Sequence, residues 1–247
     1  MEARLICDEP ARGDWNMAVD EVLLEAARQA DRPVLRFYRW SSPTLSLGYF
    51  QGLAERRAHG ASASCPLVRR ASGGGAILHD RELTYSFVVR DEGIGGHRAL
   101  YDAFHETLVE VLADWGIVGT LFPAAGVAGK PGAASPFLCF QRRAEGDVLV
   151  EGAKVCGSAQ RRHRGAILQH GSVLLRQSPQ APELPGLQEL TGFELEPAVV
   201  RERWCARLSA RLAVNWRIGP LSAVEIERAL SVQSMKFGSE SWTGRRA

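Results

Sequence analysis

The segment Arg69-Arg70-Ala71-Ser72-Gly73-Gly74-Gly75-Ala76-Ile77-Leu78-His79-Asp80 constrains this chain more than any other. Three consecutive glycines carry no Cβ, so their backbone N–H groups can close on a ligand that side chains would hold away. Two arginines before them and a His-Asp pair after them make the loop polar and partly cationic, which suits an anion or a developing oxyanion. Triple glycine also occurs in flexible linkers. Here it stands between the apolar run Pro66-Leu67-Val68 and the alternating run Leu83-Thr84-Tyr85-Ser86-Phe87-Val88-Val89, so the pattern predicts a ligand loop within a sheet.

At 247 residues the chain is long enough for one large domain with a real core. Apolar content of 45% and charged content of 23% are those of a globular protein. A net charge of +2 argues against a general nucleic-acid binder, which carries a strong basic excess. No run approaches the roughly 18 apolar residues of a membrane span, and the start, with Glu2, Arg4, Asp8 and Glu9, lacks the apolar core of a signal peptide. The expectation is a cytoplasmic protein with neither a membrane nor a nucleic acid as partner. Cys7, Cys65, Cys139, Cys156 and Cys205 are scattered without a C-x-x-C pair, which signals neither a disulfide framework nor a metal site.

Apolar spacing predicts a helix capped by Asp14, with Val19, Val22, Leu23 and Ala26 on one face, and a second helix over Arg98–Trp115 ending at Gly116. Strands are expected over Val34–Trp40, Thr44–Leu47, Leu83–Val89, Asp147–Val150, Ala153–Ser158 and Ile167–Leu175, with Glu151-Gly152 as a hairpin turn. The stretch 123–136 has too few large apolar groups to pack and reads equally as a slack insertion or a substrate lid. Val200, Trp204, Leu208 and Leu212 form a later helical stripe, and Ser222 with Glu225 a capping box. Strands and helices alternate early and helices gather late, which predicts an α/β (α+β) sandwich in one domain over 1–247, helical from about residue 196.

The glycine loop resembles the signature of the lipoate–protein ligase and octanoyltransferase superfamily, whose catalytic domain is shared with the biotin ligases. The resemblance extends, in order, to Asp14-Trp15-Asn16-Met17-Ala18-Val19-Asp20-Glu21, to Arg36–Trp40 with Thr44–Gln51, to Gly152-Ala153-Lys154-Val155-Cys156-Gly157-Ser158-Ala159-Gln160, and to Leu168-Gln169-His170-Gly171-Ser172. It implies a biotin/lipoate protein ligase-like catalytic fold with mixed sheets flanked by helices.

Read alone, Lys154 is a lysine near a turn, where a solvated side chain is the usual outcome. The following Gly157-Ser158 allows close backbone approach, and the resemblance implies that Lys154 sits beside the acyl carbonyl. An ammonium there can steady an oxyanion or lower a thiol's pKa. Phe137-Leu138-Cys139-Phe140 is by itself an apolar strand fragment with an inert thiol. The resemblance matches Cys139 to the acyl-thioester cysteine of octanoyltransferases that act on lipoyl domains. Cys156, on the strand face of Lys154, is the competing nucleophile. Arg70, Ser72, Gly73, Gly74, Gly75, His79, Gly157, Ser158, His170 and Gly171 are the expected substrate-binding set, with no metal ligands. Arg161, Arg162, His163 and Arg164 read as a solvated turn, or as a patch for an acidic carrier.

Three functions stay open at this point. The first is octanoyl transfer from acyl carrier protein through Cys139 to a lysine of a lipoyl-domain protein such as the glycine cleavage H protein, with no cofactor. The second is an ATP- and magnesium-dependent lipoate–protein ligase, with an amidotransferase between lipoyl domains as a variant. The third is a non-catalytic binder of acylated proteins. Gly75, where such transferases usually have arginine, and Gln141-Arg142-Arg143, where an acidic residue tends to follow the cysteine, depart from the transferase pattern. Glu82-Leu83-Thr84-Tyr85-Ser86 and Gln169-His170-Gly171-Ser172 follow it.

Overall fold

The computed structural model describes residues 1–30, 32–91, 96–124 and 136–246. Most of the 123–136 stretch, including the proposed lid, lies outside the described residues. In chain order the first elements are β1 (Glu2–Cys7), α1 (Gly13–Ala26), β2 (Val34–Tyr38), β3 (Thr44–Leu47), β4 (Leu67–Arg69), β5 (Ile77–His79), β6 (Glu82–Arg90) and α2 (Gly96–Ala113). They are followed by β7 (Gly119–Leu121), β8 (Val148–Val150), β9 (Ala153–His163), β10 (Ala166–Leu174), α3 (Leu187–Thr191), α4 (Pro197–Leu212), β11 (Asn215–Ile218), α5 (Ala223–Val232) and α6 (Glu240–Thr243).

Among the described residues the strands form two mixed sheets, one ordered β11-β1-β2-β6-β10-β9-β8-β7 and a small one ordered β4-β3-β5. The period-2 alternation of β6 decides what each face of the large sheet does. Leu83, Tyr85, Phe87 and Val89 join Leu35, Phe37, Ile167 and Val173 in a core closed by Phe104 and Leu108 of α2 and Trp204 and Leu208 of α4. The opposite face packs α1 through Met17, Val19 and Leu23, with Val88 and Leu168 below. The same face also carries polar residues in register: Arg36 opposes Ser86, which opposes His170, and Tyr38 opposes Thr84, which opposes Ser172. A polar floor beside an apolar one is how this sheet makes room for a site. α4, α5 and α6 lie past residue 196, together with β11, which pairs in parallel with β1.

Three local readings change. Asp14 is not the helix cap; Arg12 holds that place, and Asp14 sits in the first turn, accepting from the Trp15 amide at 2.9 Å. The helix can start at Gly13 because a Cβ there would lie 2.7 Å from the Trp40 ring. β9 runs five residues past Ser158, to His163, because β10 pairs with it along its length and the chain reverses only at Arg164-Gly165, both at positive φ. Arg161 and Arg162 are therefore strand residues, bound to Glu21 at 2.8 Å and Asp91 at 3.3 Å. Finally, Phe137–Phe140 is no strand: Leu138 makes a single bridge to Ala76, and Cys139 opens a 3-10 turn. The Glu151-Gly152 hairpin turn forms as expected, with φ of 50° and 77°. No helix among the described residues is long and apolar enough to cross a membrane.

Candidate active site

One pocket gathers most of the residues singled out in the sequence. Arg70, Gly73, Gly74 and His79 come to it from the glycine loop and β5, and Cys139 from the turn that follows Leu138. Lys154, Gly157 and Ser158 come from β9, and His170 and Gly171 from β10. Its non-atom space, mouth included, is about 530 Å³. Ser72 and Gly75 do not line it. Ser72 Oγ lies behind the wall, 2.5 Å from His170 Nε2, and Gly75 is packed under the Arg142 guanidinium and the Phe137 carbonyl, where a Cβ would sit 3.1–3.2 Å from both.

Cys139 is held at the tip of the glycine loop by two backbone hydrogen bonds: its N–H donates to Ala76 O at 2.7 Å, and the Ala76 N–H donates to Phe137 O at 3.1 Å. The thiol is partly exposed. Gly74, at φ +95°, faces it, and a Cβ on Gly74 would meet Sγ at 4.0 Å and Arg70 Nη2 at 3.6 Å. Arg70 braces the loop from inside by donating to Gly75 O at 2.7 Å and to Ser46 O at 2.9 Å. Burial pushes its guanidinium down to about 10, with Cys139 acting in the opposite sense.

Lys154 and Asp147 form a buried ion pair, Nζ to Oδ2 at 2.7 Å. Asp147 also accepts from Tyr101 OH at 2.8 Å and from the Ala144 amide at 2.6 Å. The ammonium lies 5.4 Å from the ring centre of Phe140, the residue after Cys139. Gly157 permits this arrangement, since a Cβ there would fall 2.4 Å from Lys154 Cε. Cys156 goes the other way. It is fully buried in the α2/α4 core, it does not line the pocket, and burial pushes its thiol well up. Lys154 and Cys156 do not share a site because β9 is irregular against β8 at Val148/Leu149.

The two pocket histidines are each held at both ring nitrogens. His79 lies between Glu82 Oε1 at 2.6 Å and Ser46 Oγ at 2.7 Å and stacks on Trp40 at 3.8 Å. His170 lies between Ser72 and Asp20, whose Oδ2 is 3.6 Å from Nδ1. Asp20 in turn is fixed by Arg36 at 2.9 Å and Ser86 at 2.7 Å. Sequence reasoning missed Asp147, Glu82 and His105 as site supports, because each acts through a partner on a different strand or helix. Among the described residues no group of three or more His, Cys, Asp or Glu is arranged to hold a metal ion.

His105 carries a pH consequence. Its Nδ1 donates to Gly146 O at 2.6 Å, which leaves Nε2 to accept from Ser158 Oγ at 2.7 Å. Burial pushes its pKa down to about 4. The unfolded chain, with an imidazole pKa near 6.5, then binds the proton that the folded chain refuses. Stability from this group is full above about pH 6.5 and falls as the pH drops toward 4, by a total on the order of 3 kcal/mol. Urea denaturation of His105→Gln is expected to show a flatter pH dependence across that window than the unsubstituted chain.

The lipoyl protein ligase A/B catalytic domain matches residues 13–182, the span that supplies every residue lining the pocket. This chain belongs to that family. It is 34% identical to Octanoyltransferase LipM of Moorella thermoacetica, over 94% of this chain and 93% of that one. It is 33% identical to Octanoyltransferase LipM of Kyrpidia tusciae, over 98% of both. Among solved structures, the bi-partite lipoate protein ligase of Thermoplasma acidophilum, studied with its E2 lipoyl domain, superposes with a TM-score of 0.78 at 22% identity, covering 99% of this chain and 96% of that one. That likeness is one of fold. The chain is an acyltransferase, and its relatives carry the name octanoyltransferase.

In this acyltransferase Gly48 sets the position of the glycine loop, because a Cβ on it would stand 2.0 Å from Gly74 O. Gly48→Ala must displace that carbonyl and with it the Gly74 backbone that faces Cys139. The expected cost is about 1–3 kcal/mol of stability and on the order of a 100-fold loss of transfer rate, read by thermal denaturation and single-turnover assay.

Proposed function

We propose that the chain is a protein octanoyltransferase working through a Cys139 thioester. The observation that carries this reading is that Cys139 is, among the described residues, the one cysteine lining a pocket that Lys154 also lines. The Cys139 thiol loses its proton and the thiolate adds to the thioester carbonyl of octanoyl-acyl carrier protein; the donor C–S bond breaks, the carrier leaves as a thiolate that takes up that proton, and the octanoyl group stays on Sγ. The ε-amine of a lysine on a lipoyl-domain protein, such as the glycine cleavage H protein, then adds to the same carbonyl. Cys139 leaves and takes back a proton lost by the amine, so an amide and a free thiol remain.

Both thioesters are of similar energy, so the transfer requires neither ATP nor a metal. Lys154, fixed by Asp147, supplies positive charge near the developing oxyanion, and the Gly73–Gly74 backbone and Gly157 keep Cβ atoms out of the acyl path. The whole chain works as one catalytic domain in this reading. The test is a donor comparison. Octanoyl-carrier without ATP is expected to octanoylate a lipoyl domain; modification only with lipoate, ATP and magnesium would make the chain a ligase.

A further inference from the structure

Among the described residues, arginines without a carboxylate partner stand at both ends of the glycine loop. The glycine loop orders three neighbours along its length: a Cβ on Gly73 would meet the Phe50 ring at 3.8 Å, one on Gly74 would meet Cys139, and Gly75 lies under Arg142. Phe50 is 71% exposed, unusual for a large aromatic side chain. Arg246 stands 5.2 Å from its ring centre, and Arg245 stands 4.7 Å from that of the adjacent Tyr49. Arg143 follows Arg142 directly in the chain. Among the described residues none of these four arginines has a carboxylate partner; Arg142 and Arg143 donate only to the carbonyls of Pro136 and Gly152. Most other surface arginines are paired, among them Arg4, Arg98, Arg161, Arg176, Arg207 and Arg217.

The two C-terminal arginines are held in place. Arg69 donates to Thr243 O at 2.8 and 2.9 Å, Trp242 Nε1 donates to Arg69 O at 2.9 Å, and the Leu53 amide donates to Arg246 O at 2.7 Å. The segment is thus stitched to the strand that leads into the glycine loop. Arg69 is itself pushed down by burial first and then by the charges of Arg245 and Arg246, with Glu55 acting in the opposite sense.

We propose that Arg142, Arg143, Arg245 and Arg246, with Phe50 beside Gly73, form the seat for the acyl donor: an acidic carrier protein whose phosphate-linked thioester arm enters beside Gly74. This rests on the thioester reading above. It also moves the docking surface away from Arg161 and Arg162, whose charges Glu21 and Asp91 already meet. A cationic rim around the thiol raises the encounter rate with an anionic donor and orients its arm, an effect that salt screens.

The test is the rate of octanoyl-Cys139 formation by intact mass, for the unsubstituted chain and for Arg143→Glu/Arg245→Glu/Arg246→Glu, with two donors: octanoyl-acyl carrier protein and the small neutral thioester octanoyl-N-acetylcysteamine. With the carrier the charge-reversed variant is expected to be slower by roughly tenfold or more at low salt and to lose the salt dependence of the parent. With the neutral thioester both are expected to agree within about twofold, which also shows that the variant is folded. Equal rates with the carrier would overturn the seat, as would equal losses with both donors. A loss confined to the later step, amide formation on the lipoyl domain, would assign the rim to the acceptor and overturn the proposal as stated. If the unsubstituted chain acylated with neither donor, the Cys139 reading would fail, and the seat with it.

Discussion

Cys139→Ala is expected to lower octanoyl transfer by roughly 10⁴-fold or more, the scale seen when a covalent nucleophile is removed, with little change in stability. The thiol is partly exposed on a turn, so its loss opens no core cavity. No other thiol can replace it. Cys7, Cys65 and Cys205 do not line the pocket, and Cys156, though two residues from Lys154, is fully buried and 3.9 Å from His105 Nε2. Cys156→Ala should therefore keep transfer while costing some stability through a small cavity. Single-turnover assays of both variants read this directly; full activity in Cys139→Ala would mean that the amine attacks the donor without a thioester.

Lys154→Ala is expected to cost both activity and stability. Removing one member of a buried ion pair leaves its partner uncompensated, at about 3–5 kcal/mol, here moderated because Tyr101 OH and the Ala144 amide still bind Asp147. The two effects can be separated. Lys154→Met with Asp147→Asn removes both charges from the same buried space, so stability measured by urea denaturation should largely return. Transfer should not return, because the proposed mechanism needs the Lys154 charge at the oxyanion. If the double variant regained activity together with stability, Lys154 would be structural and its place in the reaction would be lost.

The glycine loop, the alternation of β6 and the Gly152–Gln160 hairpin were legible as sequence because each is a local pattern: a run of small residues, a period of two, a turn dipeptide. The pocket followed from these, since β6, β9 and β10 are neighbours in the sheet. What the sequence did not disclose was long-range. Asp147 reads as the ordinary first residue of a strand, and only the hairpin brings it to Lys154. Asp20 was visible in a helix motif, but its bonds to Arg36, Ser86 and His170 require three different strands. The strands β4, β5, β7 and β11, three or four residues each, are too short for periodicity to register. Cys139 was misread as a strand residue for a related reason: its turn is set by two hydrogen bonds to the 76 region, sixty-odd residues earlier.

The central claim is the thioester. Intact-protein mass spectrometry after mixing the chain with octanoyl-acyl carrier protein in the absence of ATP, before and after hydroxylamine, tests it most directly. The account predicts a single octanoyl adduct that hydroxylamine removes and that peptide mapping places on Cys139. No adduct, with an acceptor lipoylated once lipoate, ATP and magnesium are supplied, would contradict it and leave Cys139 as a packing residue at the mouth of a ligase site.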